Sequence, residues 1–292
     1  MELKGIYTAL VTPFRGGALD EKALKKLIEF QVAGGVDGIV PCGTTGEAPT
    51  LSYEEHEKVI ELAIKYAGGK VPVIAGTGSN STAEAIELTM SAKKLGADAC
   101  LLTTPYYNKP TQAGLLAHFT TIAEKTRIPL VLYNIPGRTG INMAPETIAE
   151  LAKVRNIVGI KEAAGSLTQV SEIYRLTKGR FAILSGDDNL FLPMMSVGAQ
   201  GVVSVASNIV PAMVVELVRA ATRGDLAAAG CLHARLYRLF RDLFIDTNPV
   251  PVKCALAMLG RIEEVYRLPL CETGDKVRGQ VRQTLRELQL ID

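Results

Sequence analysis

The run Val158-Gly159-Ile160-Lys161-Glu162-Ala163 places a lysine at the end of a dense apolar stretch. Such density reads as a strand covered on both faces, the pattern of a parallel sheet packed between helices. A lysine held there is buried, and burial favours the neutral amine over the ammonium form. A neutral amine attacks a ketone or aldehyde to form a Schiff base, and the resulting iminium draws electrons from the neighbouring carbon. Two plainer readings stand beside this one: a lysine whose stem lies on apolar surface with its head in water, and a lysine paired with Glu162.

Schiff-base chemistry also needs a proton carrier. Tyr133 ends the apolar run Pro129–Asn134, and a phenol near an amine or hydroxyl passes protons through short hydrogen bonds. Its alternative is a core tyrosine with a satisfied hydroxyl. Arg138 lies in the following loop, Ile135–Gly140. Arginine grips a carboxylate with two parallel hydrogen bonds, so this position suits selection of an acidic substrate; otherwise it is an ordinary exposed loop arginine. Thr44-Thr45 precede Gly46, where hydroxyls and loop amides suit a carboxylate, or form a plain turn. The three histidines, His56, His118 and His233, fall in helical segments with no HxH or HExxH spacing, so no metal ligand set is expected. The loops Ser185–Asp188 and Ala206–Asn208 carry no glycine cluster to cradle a phosphate. The expected substrate is a non-phosphorylated carbonyl acid, with no cofactor.

These residues need elements that hold them together. Strand candidates are Gly5–Phe14, Gly38–Gly43, Val71–Gly78, Ala99–Thr104, Pro129–Asn134, Ile157–Lys161, Phe181–Ser185 and Gly201–Ala206. Between them lie helical patterns: one capped by Asp20, one capped by Ser52 with Glu55 as a capping box, and one capped by Ser81 with Glu84 in the same relation. Others cover Thr111–Thr126, Ala144–Lys153, Ser166–Thr177 and Leu190–Val197. Eight apolar strands alternating with helices predict an α/β fold that closes as a (β/α)₈ TIM barrel. The competing doubly wound sheet has only Gly76-Thr-Gly78 as a fragment of a dinucleotide fingerprint. Beyond Pro211 the pattern becomes helix after helix, giving a barrel over 1–224 and a C-terminal helical extension over 225–292. In such a barrel the chemistry sits where strands end, which is where Lys161, Tyr133, Thr44, Tyr107 and Gly186 fall.

Bulk composition agrees with a small-molecule partner. A net charge of +2 with 21% charged residues supplies no basic field for nucleic acid. The longest apolar region, Gly201–Val218, is interrupted by Ser204, Ser207, Asn208, Pro211 and Glu216, so no membrane span is expected. Met1–Gly5 runs into a strand without an export signal, and five scattered cysteines fit reduced thiols, so a cytoplasmic location is expected.

Taken in order, Gly38–Glu47, Tyr133–Gly140 and Gly159–Ala163 resemble the signatures of the dihydrodipicolinate synthase and N-acetylneuraminate lyase superfamily, and the likeness continues to Asn248–Lys253. Its members are class I, Schiff-base aldolases on (β/α)₈ barrels. The chain is more similar to the synthases, since the sialic-acid lyases typically lack an arginine in the Arg138 loop and carry Ser-Thr where Thr44-Thr45 stands. The resemblance implies an imine between Lys161 and pyruvate, with Tyr133, Thr44 and Tyr107 as a proton relay, Tyr107 reaching into an adjoining subunit. It implies that Thr45 and the Val203 backbone hold pyruvate with Gly186 nearby, and that Arg138 receives the carboxylate of L-aspartate 4-semialdehyde. The implied product is 4-hydroxy-tetrahydrodipicolinate, on the route to lysine and diaminopimelate, and the implied assembly is a homotetramer, a dimer of dimers. In lysine-regulated members L-lysine binds as feedback inhibitor through residues matching His56, Asn80, Glu84 and Tyr106. Ala48-Pro49 and Tyr53 depart from the pattern of sensitive members. Two other readings remain at this stage: a pyruvate aldolase for sugar-derived aldehydes, and a catalytically silent barrel that senses a small acid.

Overall fold

The computed structural model describes residues 2–292. Strand β1 (Gly5–Ala9) leads into a short antiparallel hairpin, β2 (Phe14–Arg15) and β3 (Ala18–Leu19). The expected strand Gly5–Phe14 is therefore broken: Pro13 has no N–H to give a ladder, and Gly16 and Gly17 turn the chain at positive φ. Asp20 then caps α1 (Glu21–Ala33), its carboxylate accepting the Ala23 N–H at 2.9 Å. The alternation continues through β4 (Gly38–Val40), α2 (Tyr53–Ala67), β5 (Ile74–Gly76), α3 (Thr82–Leu95), β6 (Ala99–Thr103) and α4 (Gln112–Thr126). It goes on through β7 (Leu130–Asn134), α5 (Pro136–Thr139), α6 (Pro145–Leu151), β8 (Ile157–Glu162), α7 (Leu167–Leu176), β9 (Ala182–Ser185), α8 (Phe191–Met195) and β10 (Gly201–Ser204). Helices α9 (Pro211–Thr222), α10 (Leu226–Asp242), α11 (Val250–Met258) and α12 (Asp275–Glu287) complete the chain.

Eight strands form one sheet in the order β4-β1-β10-β9-β8-β7-β6-β5. The registered pairs are parallel. With a helix in each connection between successive sheet strands and a helical C-terminal stretch, this is the expected (β/α)₈ pattern. Burial explains the apolar runs: every residue of β7 is buried, as strands covered on both faces require.

The chain divides into two compact units, one of residues 1–5 and 73–203, the other of residues 6–72 and 204–292. The first contains β5 to β9 and helices α3 to α8, around fully buried residues such as Leu102, Leu132, Ile160 and Ile183. The second contains α1, β4, α2 and the four C-terminal helices, with Leu24, Ile28, Ile39, Val252 and Leu256 fully buried. Of the two expected capping boxes, the one on α2 forms both halves. On α3 Ser81 accepts the Glu84 N–H, but the return bond is replaced: the Ser79 hydroxyl donates to the Glu84 carboxylate and accepts the Ser81 N–H. A neighbouring hydroxyl outcompetes the return half of the box, while the Ser81 cap itself forms.

Candidate active site

Parallel register sets the centre of the first unit. Lys161 on β8 lies opposite Tyr133 on β7, one residue before the Glu162–Asn134 pair. Side chains alternate between the faces of a strand, so Lys161 and Tyr133 share one face and Glu162 and Asn134 the other. Lys161 is 6% exposed and Tyr133 4%, and the lysine Nζ stands 4.1 Å from the centroid of the tyrosine ring. At that distance the ring face attracts the cation, which helps hold the amine beside the phenol. The Glu162 carboxylate is engaged on its own face by Asn134, Gln169 and the Ala164 N–H. The pairing with Glu162 considered from sequence does not occur.

Gly186, after β9, backs the lysine stem. A Cβ there would stand 2.6 Å from the Ala163 Cβ and 3.2 Å from the Lys161 Cε, so only glycine allows this approach. The next residue, Asp187, has its carboxyl pushed up by burial, while the positive charge of Lys161 pulls it back. Burial likewise raises Glu162, against the three hydrogen bonds that favour its charged form. Val203 is 1% exposed on β10 in this same unit.

Arg138 is exposed, on a single helical turn that proline starts and Gly140, at φ 77°, ends. Sequence reasoning took this segment as loop, and four residues are too few for a periodicity to show. The turn is anchored internally: the Thr139 hydroxyl lies 3.1 Å from the carbonyls of both Ile135 and Ile141.

In the second unit, Thr44 and Thr45 follow β4. Thr45 is 3% exposed, and its Oγ1 accepts from the Asn248 Nδ2 at 2.9 Å. Two residues on, Glu47 holds a left-handed φ of 53° and accepts from the Lys253 Nζ at 2.5 Å, with both side chains fully buried. Burial pushes Lys253 down, and Glu47 opposes that. Arg267 adds a bidentate grip on Glu55 at 2.5 and 2.6 Å and a bond to the Thr50 carbonyl at 3.0 Å. The C-terminal stretch thus braces the Thr44-Thr45 turn. The sequence drew notice to Asn248–Lys253 and, separately, to Glu47 at the end of the Gly38–Glu47 motif, and nothing there joined the two.

The residues proposed to bind lysine divide between the units. Asn80 donates to the Tyr106 carbonyl at 3.2 Å and accepts from Asn108 at 2.8 Å through its own carbonyl, while Glu84 sits on the adjoining α3. His56 belongs to the other unit, buried on α2. Tyr106 is 40% exposed and Tyr107 90%, the latter at a left-handed φ of 72°.

The profile of the "Dihydrodipicolinate synthetase family" matches residues 2–288. The chain belongs to this family. It is 54% identical over 288 residues to the 4-hydroxy-tetrahydrodipicolinate synthase of Thermodesulfovibrio yellowstonii, covering 99% of each chain. The crystal structure of dihydrodipicolinate synthase from Aquifex aeolicus superposes with a TM-score of 0.97 at 50% identity, covering 99% of both chains. A family structure from Cyanidioschyzon merolae with lysine bound gives a TM-score of 0.95 at 43% identity, again covering 99% of both. Full-length likeness at these identities establishes the (β/α)₈ barrel for this family member.

Proposed function

We propose that the chain condenses pyruvate with L-aspartate 4-semialdehyde through an imine on Lys161 to give 4-hydroxy-tetrahydrodipicolinate. The observation that carries the residue assignment is the buried amine held 4.1 Å from the Tyr133 ring at the ends of adjacent strands. The Nζ of Lys161 adds to C2 of pyruvate and water leaves, giving an iminium. Loss of a methyl proton turns this into an enamine, whose carbon attacks the aldehyde carbon. The amine of the second substrate then adds to C2, closing the ring and displacing the lysine Nζ. Tyr133 carries the protons. Thr44 and Tyr107 complete the relay, Thr45 and the Val203 backbone hold pyruvate beside Gly186, and Arg138 receives the carboxylate of the aldehyde. No cofactor or metal enters this scheme.

The exposure and left-handed backbone of Tyr107 support its action in a neighbouring subunit, which takes at least a dimer; the assembly of this reading is a dimer of dimers, with residues 225–292 as a helical extension of the 1–224 barrel. Lysine as feedback inhibitor is supported by the lysine-bound relative and by the Asn80–Tyr106 contact beside Glu84. Among the described residues no helix is long and apolar enough to cross a membrane, and the five cysteines are free, which supports work in a reducing cytoplasm.

The test is a coupled assay with both substrates alongside borohydride trapping. The parent chain turns over and gains mass on Lys161 only with pyruvate present. Arg138→Ala keeps that mass gain and raises KM for the semialdehyde about 10- to 100-fold, the worth of one charge-assisted grip. Trapping without turnover places the second substrate elsewhere, among sugar-derived aldehydes. No trapping removes Lys161 from the reaction.

A further inference from the structure

Behind Lys161 lies a polar network that the condensation chemistry leaves unused. The Glu162 carboxylate, 1% exposed, accepts from Asn134 Nδ2 at 3.1 and 3.2 Å, from Gln169 Nε2 at 3.1 Å and from the Ala164 N–H at 2.7 Å. The same two amide groups also reach the far end of the Arg138 loop. Asn134 Nδ2 and Gln169 Nε2 donate to Asn142 Oδ1 at 2.7 and 3.2 Å, and Asn142 Nδ2 returns a bond to Gln169 Oε1 at 2.8 Å. Asn134 Oδ1 accepts the Met143 N–H at 3.0 Å, and Gln112 clasps the Asn142 carbonyl and the Ala144 N–H at 2.8 and 2.9 Å.

We propose that Glu162 is a positioning residue that ties the strand carrying the nucleophile to the loop carrying Arg138, so that the second substrate's carboxylate is held in register with the enamine. A carboxylate is needed because it only accepts, and three N–H groups converge on it. An amide there turns its own N–H₂ against one of those donors, leaving a buried donor unsatisfied. Strand alternation provides the coupling: each residue pair at the end of β7 and β8 presents one member to the chemistry and the next to the network. Displacement of a positioned group by about an ångström is enough to cost orders of magnitude in rate.

The proposal rests on Arg138 as the acceptor of the semialdehyde carboxylate, so the experiment separates the two. Glu162→Gln and Asn142→Ala, at the exposed end of the network, are compared with Arg138→Ala and the double variant Glu162→Gln/Arg138→Ala, with thermal unfolding confirming that each is folded. The expected result is a KM for aspartate semialdehyde raised about tenfold or more by Glu162→Gln, and by a smaller factor in the same direction by Asn142→Ala, the size of a coupled interaction. The rate of borohydride-trappable imine formation with pyruvate stays within about twofold, and in the Arg138→Ala background Glu162→Gln adds less than about twofold, since the coupling has lost its object. An equal loss for both substrates, or effects that multiply fully with Arg138→Ala, reduces Glu162 to a stability residue and overturns the proposal. If Arg138→Ala itself leaves the semialdehyde KM unchanged, the reading beneath it has failed and the proposal falls with it.

Discussion

A single residue's chemistry here follows from which face of a strand it occupies. Lys161 and Glu162 are chain neighbours, yet one sits against the Tyr133 ring and the other in an amide network, because side chains alternate along β8. The lysine was legible because an amine in an apolar run invites a question; the glutamate was read only as its possible partner. His118 shows the same logic for the histidines, whose helical positions pointed away from the chemistry. It packs edge-on to Phe119 with its Nδ1 2.9 Å from the Thr82 hydroxyl, and burial pushes its pKa down from 6.5 to about 4. In the unfolded chain that ring takes a proton near 6.5, and in the fold only near 4. The unfolded state therefore binds more protons between those values, and stability falls as pH falls through the window. Denaturant unfolding of the parent loses about 2 kcal/mol more than His118→Gln between pH 7.5 and 5. Parallel pH profiles for the two proteins refute the assignment.

For the elements, existence and order were readable and boundaries were not. All eight sheet strands lie within the expected segments, apart from one residue that extends β8 to Glu162. They are shorter where proline or glycine intervenes, as Pro72 does ahead of β5. Local signals worked when partners were close, as in the Ser52–Glu55 box, and failed where a competitor such as Ser79 stood nearby. The brace on the Thr44-Thr45 turn was beyond reach for another reason: Lys253 and Glu47 are 206 residues apart, and neither carries a local pattern that names the other. Removing Lys253 leaves Glu47 buried without its direct cation, with only the Arg267 N–H at 3.4 Å still donating to it. Lys253→Met is expected to destabilise the fold by about 3–5 kcal/mol, while Lys253→Met with Glu47→Gln recovers much of it, because a neutral pair no longer strands a charge. Equal losses in the single and double variants, measured by denaturant midpoint, show that the ion pair itself was not the source.

At the scale of the whole molecule the proposed unit is an assembly of subunits. Tyr107 is 90% exposed and held at a φ of 72°, a conformation that costs a non-glycine residue about 1 kcal/mol or more unless something repays it. Both features support the service proposed for Tyr107 in a neighbouring subunit's site. This has a consequence that kinetics on one variant cannot imitate. Tyr107→Phe and Lys161→Ala are each expected to be nearly inactive alone. In a mixed dimer, one site combines the intact Lys161 of one subunit with the intact Tyr107 of the other, and the second site lacks both. Random reassortment makes half the dimers mixed with one working site each, so the mixture recovers about a quarter of parent activity, as a two-fold symmetric exchange of residues requires. If Tyr107 works within its own chain, mixing restores nothing, since each subunit then carries its own defect into every pair. Recovery that rises with time of exchange and disappears when the subunits are cross-linked before mixing places the phenol in the partner's site.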